Sequence, residues 1–184
     1  GYNCNTYNYN ETREDFPKKD VLFRDVLPIL RNPKIFSSLI EEMSELEICK
    51  AADAILAVDA RGFLFGSSLA LKSFKPLVVA RKPGKLPGKI ITNKYSLEYG
   101  TNSLSIQKDS IKDYKSFLIV DDLLATGGTA SCVANLLNKS GKKVTGLLTV
   151  VEILKLSGRL KLDFPVESII FLLVVDLISD VLIL

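Results

Sequence analysis

Asp121 and Asp122 close an apolar run, Phe117-Leu118-Ile119-Val120, and are followed, after Leu123-Leu124, by Ala125-Thr126-Gly127-Gly128-Thr129. The run reads as a buried strand. Val133, Leu136 and Leu137, within Ala130 to Lys139, fall at helical spacing, so Thr126 to Thr129 should wrap the N-terminus of a helix. Free backbone N–H groups and the positive end of the helix dipole gather there, and two glycines allow a ligand close to the backbone. Thr126 and Thr129 add hydroxyl donors, so the natural guest is a phosphate monoester. Asp121 and Asp122 would repel that phosphate, but their oxygens suit the vicinal hydroxyls of a ribose or a hydrated Mg²⁺. Phosphate at one end and diol at the other describe a ribose 5-phosphate. Taken singly, the Gly-Gly turn is often a plain βα connection and the paired acids a solvated strand end; the ordered string is the specific signal.

Two further segments carry charge in the right places. Asp59-Ala60-Arg61-Gly62 follows the apolar run Ala54-Ile55-Leu56-Ala57-Val58, and Arg61 at a strand's carboxyl end points into the crevice where open α/β sheets bind ligands. Its plainer reading is a surface arginine pairing with Asp59. Arg81-Lys82-Pro83-Gly84-Lys85-Leu86-Pro87-Gly88-Lys89 follows Leu77-Val78-Val79-Ala80, about a dozen residues before the next clear strand. A basic loop of that length in a compact domain is usually a lid or a binding loop. It is not a nucleotide P-loop, because three rather than four residues separate Gly84 from Gly88 and Ile90 stands where Ser or Thr is needed.

Composition removes most other chemistries. The 184 residues contain no histidine, which excludes Ser-His-Asp and Cys-His catalysis and histidine metal sites. Proton transfer must fall to Asp, Glu, Lys or Tyr. Cys4, Cys49 and Cys132 form no Cys-x-x-Cys pair, so neither a disulfide framework nor a zinc site is supported, and a reducing cytoplasmic compartment is expected. A net charge of +3 is too small to argue for nucleic acid.

The elements that must position these residues are legible in outline. Residues 1–20, rich in Asn and Tyr, show no period and are expected to be a poorly ordered arm ahead of a single domain over 21–184. Val21 to Pro28 mixes apolar and charged residues, as a short element lying across a site or a half-buried edge segment would. Asn32-Pro33 makes an N-cap and first-turn pair for a helix carrying Ile35, Phe36, Leu39, Ile40 and Met43. Phe63 to Leu71 is a second helical pattern, with Gly66, Ser67, Ser68 and Ala70 allowing close packing. Tyr95 to Gly100 and Ser103 to Gln107 alternate as a two-stranded antiparallel flap, Val144 to Val151 is β-rich, Ile153 to Arg159 reads as a helical turn, and Ile169 to Val175 as the last strand. Ile169 to Leu184, with Asp176 and Asp180 inside it, is too short and too charged to span a membrane, and its tail is expected to be covered by the domain or a second subunit. Strands alternating with helices describe an α/β fold: an open, mainly parallel twisted sheet flanked by helices, with right-handed crossovers. Segments 59–62, 81–89 and 121–129 all leave carboxyl ends of strands, so they converge on one crevice.

The string from Val120 to Thr129 resembles the signature of the type I phosphoribosyltransferases. Leu22-Phe23-Arg24-Asp25, Asp59-Ala60-Arg61-Gly62-Phe63, Arg81 to Gly88 and Tyr95-Ser96-Leu97-Glu98-Tyr99-Gly100 are similar, in order and spacing, to the adenine phosphoribosyltransferase family from about residue 20 to about residue 170. The resemblance implies an N-terminal hood over 21–34, with Phe23 stacking on the purine and Leu22 and Arg24 reading it through their backbones, and a flexible flap over 82–107. It implies that Asp121, Asp122 and Ala125 to Thr129 bind 5-phosphoribosyl 1-pyrophosphate (PRPP), and that Arg61, Arg81 and Lys82 hold its pyrophosphate. Glu98 maps to the family's loop glutamate, with Tyr99 beside it in the flap. A cis Asp59–Ala60 peptide and a homodimer are implied too. The implied reaction is purine salvage, adenine plus PRPP giving AMP plus pyrophosphate, with Mg²⁺ held mainly by substrate and water rather than by dedicated protein ligands. A phosphoribosyltransferase for hypoxanthine, guanine or xanthine, or a non-catalytic PRPP-binding regulator, are the alternatives. Ala60 departs from the family's common Ser and Ser67 from its frequent Pro.

Overall fold

The structure, a computed structural model, describes residues 26–97 and 100–173. The arm, Leu22, Phe23, Arg24, Glu98, Tyr99 and the tail from residue 174 lie outside the described residues.

After a short helix α1 (Leu27–Leu30), the Asn32 side chain accepts a hydrogen bond from the Ile35 backbone N–H at 3.2 Å and Pro33 opens α2 (Pro33–Glu45), as the cap pair predicts. This helix buries Leu39, Ile40 and Met43. A single turn α3 (Glu47–Lys50) leads into β1 (Ala54–Val58), whose five residues are all buried. β1 lies between β2 (Leu77–Ala80) and β5 (Ser116–Leu124), both parallel to it. With β6 (Lys143–Ile153) and β7 (Val166–Leu172) the sheet order is β2-β1-β5-β6-β7, and each pairing is parallel.

Both faces of this sheet are covered, and the side chains divide by the strand period. Leu56, Val58, Phe117 and Ile119 join the core on one side; Ile55, Leu118 and Val120 join the core on the other. A strand buried on both faces has no polar side to show, which is why these runs are continuously apolar. Helix α4 (Gly62–Ser73) crosses between β1 and β2 and lies close on the sheet. A Cβ on Gly66 would stand 2.5 Å from that of Ala57. Phe65 of α4 packs edge-on against Phe36 of α2, ring centroids 6.1 Å apart, joining the two helices on that face.

The antiparallel hairpin is longer than its alternation showed. β3 (Ile90–Leu97) pairs with β4 (Gly100–Gln107), so the basic loop ends at Lys89 and a strand begins at Ile90. The adjacent Ile90 and Ile91 break the two-residue period, and Asn93 turns inward to donate to the Cys132 carbonyl at 3.3 Å. Polarity here is spent on a tertiary contact, which hid the strand. The hairpin is anchored to the main body where Arg81 and Ser105 exchange backbone hydrogen bonds of 2.9 and 2.7 Å. A further short helix α5 (Lys108–Ile111) follows it, and α6 (Gly128–Lys139) covers the sheet after β5.

Three other boundaries differ from the sequence reading. β5 continues through Asp121 and Asp122 to Leu124, so the acids lie within a strand. The segment after β6 forms two 3₁₀ turns, Leu154–Leu156 and Gly158–Lys161, rather than one helical turn. β7 begins three residues early, at Val166, because its pairing starts opposite Leu147 rather than where the apolar run starts.

Candidate active site

The carboxyl ends of β1 and β5 open onto a cleft of about 380 Å³. Parallel strands force this convergence, because every loop leaving their carboxyl ends emerges on one edge. Its lining takes Asp59, Ala60 and Arg61 from the turn after β1, Asp121 to Thr129 from β5 and the loop that follows it, and Lys82, Tyr95, Asn102 and Leu104 from the basic loop and the hairpin.

The Ala125 to Thr129 loop has the local structure its sequence requires. Gly127 is the N-cap of α6 with φ +86°, a left-handed conformation that side chains resist. Its carbonyl accepts from the Ser131 N–H at 3.0 Å, which starts the helix and leaves earlier N–H groups facing the cleft. A Cβ on Gly127 would lie 2.8 Å from the Gly158 carbonyl oxygen, so the loop rests backbone to backbone on the turn after β6.

The acids are held from two directions. Arg61 Nε lies 2.6 Å from Asp122 Oδ2, and the Asp122 side chain is almost wholly buried. Asp121 Oδ1 accepts its neighbour's backbone N–H at 2.8 Å. Gly62 lets the turn approach, since a Cβ there would meet Asp121 Oδ1 and the Val120 carbonyl oxygen, each at 3.1 Å. Burial pushes the Asp121 carboxyl well above the usual carboxylate range, the Asp122 charge pushes the same way, and Arg61 opposes only part of it. Asp121 is thus set to gain from a positive charge placed beside it.

The Asp59–Ala60 peptide is cis, as the family resemblance implies. Arg61, Lys82, Asp121, Asp122 and Ala125 to Thr129 line one cleft, as their sequence positions predict. Arg61 pairs with Asp122 rather than Asp59; the partner of Asp59 is Arg81, 3.2 Å away. Arg81 lies outside the cleft lining, its guanidinium also 5.9 Å from the centre of the Phe63 ring. The hood residues Leu22, Phe23 and Arg24 and the flap residues Glu98 and Tyr99 lie outside the described residues.

Sequence reasoning missed Asn102 and Leu104 as lining residues, and Gly158 beneath the phosphate loop. Asn102 faces the cleft because it pairs with Tyr95 across the hairpin, a register that a correct start for β3 would have exposed. Gly158 had only one signal, its place in a turn after a strand. Among the described residues, no group of three or more His, Cys, Asp or Glu could hold a metal ion by itself, and no helix is long and apolar enough to cross a membrane.

A family model described as the phosphoribosyl transferase domain matches residues 28–177. An adenine phosphoribosyltransferase of Prochlorococcus marinus (strain MIT 9515) is 61% identical over 158 residues, covering 86% of this chain and 92% of its own. Among solved structures, adenine phosphoribosyltransferase from Thermoanaerobacter pseudethanolicus is similar at 42% identity and a TM-score of 0.75, with 86% of this chain and 92% of that chain covered. The Saccharomyces cerevisiae enzyme, complexed with adenine and an imino-altritol bisphosphate, is 38% identical with a TM-score of 0.72, covering 85% and 91%. Fold, cleft and relatives agree, and the chain belongs to the phosphoribosyltransferase family, among its adenine phosphoribosyltransferases.

Proposed function

We propose that the chain transfers the phosphoribosyl group of PRPP to N9 of adenine, giving AMP and pyrophosphate. The observation that carries this reading is the single cleft in which the Ala125 to Thr129 loop, the Asp121–Asp122 pair and Arg61 meet. The loop cradles the 5-phosphate, the acids take the ribose hydroxyls, and Arg61 and Lys82 meet the pyrophosphate, with Arg81 adding positive charge from outside the cleft lining. Adenine as the base is supported by the relatives' names and by the adenine in the yeast complex.

In the reaction the C1–O bond breaks with its electron pair going to pyrophosphate, and N9 forms the new bond to C1 through an oxocarbenium-like transition state. The protein's contribution is alignment and charge placement. Asp121 and Asp122 lie where positive charge grows on the ribose, and the basic residues meet the negative charge of the leaving group. Glu98, on the flap, accepts the N9 proton, and flap closure keeps water from the activated sugar. The pair of carboxylates facing a phosphate loop fits a Mg²⁺ ion held through substrate oxygens and water, with few direct protein ligands. When bound, Mg²⁺ supplies charge neutralisation on the pyrophosphate.

The enzyme is read as a cytoplasmic homodimer. Cys49 and Cys132 are buried and unbridged, which suits a reducing compartment. Initial rates with adenine, guanine and hypoxanthine, each with PRPP and Mg²⁺, test the function. AMP formation with the other two bases idle supports it; faster turnover of guanine or hypoxanthine reassigns the base; no turnover of any, with PRPP still bound, makes the protein a regulator.

A further inference from the structure

Gly158 and Gly127 face each other across a contact made by backbone alone. A Cβ on Gly158 would strike the Ala125 carbonyl oxygen, just as one on Gly127 would meet the Gly158 carbonyl oxygen at 2.8 Å. One side of the phosphate loop faces the cleft while the other rests on the Ser157 to Lys161 turn. Ser157 of that turn sits at φ +52°, Leu160 is 81% exposed, and the turn's backbone bonds are local, Leu160 N–H to the Ser157 carbonyl at 3.1 Å and Ser157 N–H to the Leu154 carbonyl at 3.0 Å.

Its tie to the sheet is Arg159. Arg159 Nε donates to Glu152 Oε1 at 2.8 Å and Nη2 donates to Oε2 at 2.6 Å, a two-pronged pairing that fixes direction as well as distance. Glu152 is 2% exposed and lies in register with Leu124, the residue immediately before the loop, on one side and with Phe171 on the other. The guanidinium also lies 5.9 Å from the Phe171 ring centre. The anchor therefore stands at the level where β5 releases the phosphate loop.

We propose that Glu152 and Arg159 are positioning residues for phosphate recognition, acting through the backbone of Gly158 to hold the Ala125 to Thr129 loop in its phosphate-binding shape. The proposal rests on the reading of that loop as the 5-phosphate cradle. The pair is poor evidence for stability, because Glu152 loses its hydration while Arg159 stays part-exposed, and that desolvation offsets much of the attraction. Its geometry is better explained by what it aligns: two glycines that must meet within a few tenths of an ångström.

The consequence is selective. Ligands with a 5-phosphate feel the clamp; pyrophosphate, assigned to Arg61 and Lys82 away from the Ala125 to Thr129 loop, does not. The test compares Arg159→Lys, which keeps the charge and loses the fork, and Glu152→Gln with the unaltered enzyme. Calorimetry gives affinities for AMP and for pyrophosphate, initial rates give KM for PRPP and kcat, and thermal melting reports stability. Displacement of the loop should weaken AMP and raise the KM for PRPP about ten- to a hundredfold, with pyrophosphate affinity and kcat within about threefold. Unchanged AMP and PRPP affinities, even with a lowered melting temperature, overturn the proposal and leave the pair a structural brace. Equal weakening of AMP and pyrophosphate overturns it too, as general loosening of the cleft. Should Arg159→Lys not fold, Glu152→Gln decides by the same comparison. Gly128→Val, in the loop itself, separates the two readings: if it binds AMP normally the cradle assignment fails, whereas a weakened Gly128→Val beside normal clamp variants sinks only the clamp.

Discussion

Arg61, in the turn after β1, and Asp122, within β5, meet at 2.6 Å, so that turn and the acid pair are one electrostatic unit. Arg61→Ala should therefore damage both halves of the site, losing a cation for pyrophosphate and leaving the buried Asp122 without its partner. A hydrogen bond to a charged group contributes roughly 1.5–3 kcal/mol, so kcat/KM for PRPP should fall by about 10–150-fold. Steady-state kinetics with PRPP varied checks this, and a loss confined to the KM for adenine would contradict the assignment.

Asp121→Asn should stabilise the fold while impairing turnover. A carboxyl whose folded pKa is raised holds its proton longer in the native chain than in the unfolded one. Stability then falls as pH rises from 3.8 through the folded value, and the penalty is complete above it. Replacing the carboxylate removes that penalty at neutral pH, and in a chain of this size each kcal/mol raises Tm by about 2–4 °C. Melting curves of both proteins at pH 7.5 and near pH 4 should show a gain for Asp121→Asn that shrinks toward acid.

Gly127→Ala tests the loop's backbone. The methyl group must adopt φ +86° and approach the Gly158 carbonyl oxygen at 2.8 Å, so strain of about 1–3 kcal/mol is expected. Lower stability together with at least tenfold weaker AMP binding is the expected pair of results. Normal AMP affinity in this variant would show that the loop tolerates a different shape.

Glu98→Gln addresses proton transfer. With no histidine in the chain, Asp121 and Asp122 assigned to the ribose and Asp59 paired with Arg81, Glu98 is the carboxylate proposed to take the N9 proton. Single-turnover chemistry should slow by about 10²–10⁴-fold while PRPP still binds. An unchanged chemical step would make Glu98 a lid contact.

A dimer is expected through the outer face of α4. Leu64 and Leu71, two helical turns apart, are 41% and 82% exposed, and large apolar side chains left in solvent favour association. Sedimentation should show a dimer at micromolar concentration, and Leu71→Asp should move it toward monomer. A dimer indifferent to that change places the interface elsewhere.

What the sequence determined alone was whatever depends on local chemistry. The Asn32-Pro33 cap, the apolar runs of β1 and β5, the Ala125 to Thr129 turn and the absence of histidine are each readable from a few neighbouring residues. Parallel pairing then sends the loops to one edge, so the cleft and most of its lining followed from order along the chain. The tertiary structure decided everything that depends on partners distant in sequence. Asp122 rather than Asp59 takes Arg61, and Asp59 takes Arg81, because side chains at strand ends choose by distance across the sheet. Asn93 lies ahead of the strand read from the alternation at Tyr95, but β3 starts at Ile90 and Asn93 within it donates to the Cys132 carbonyl. Gly158, Glu152 and Arg159 carried no local sign of their place beside the Ala125 to Thr129 loop, because backbone-to-backbone contact leaves no pattern in the sequence beyond a glycine.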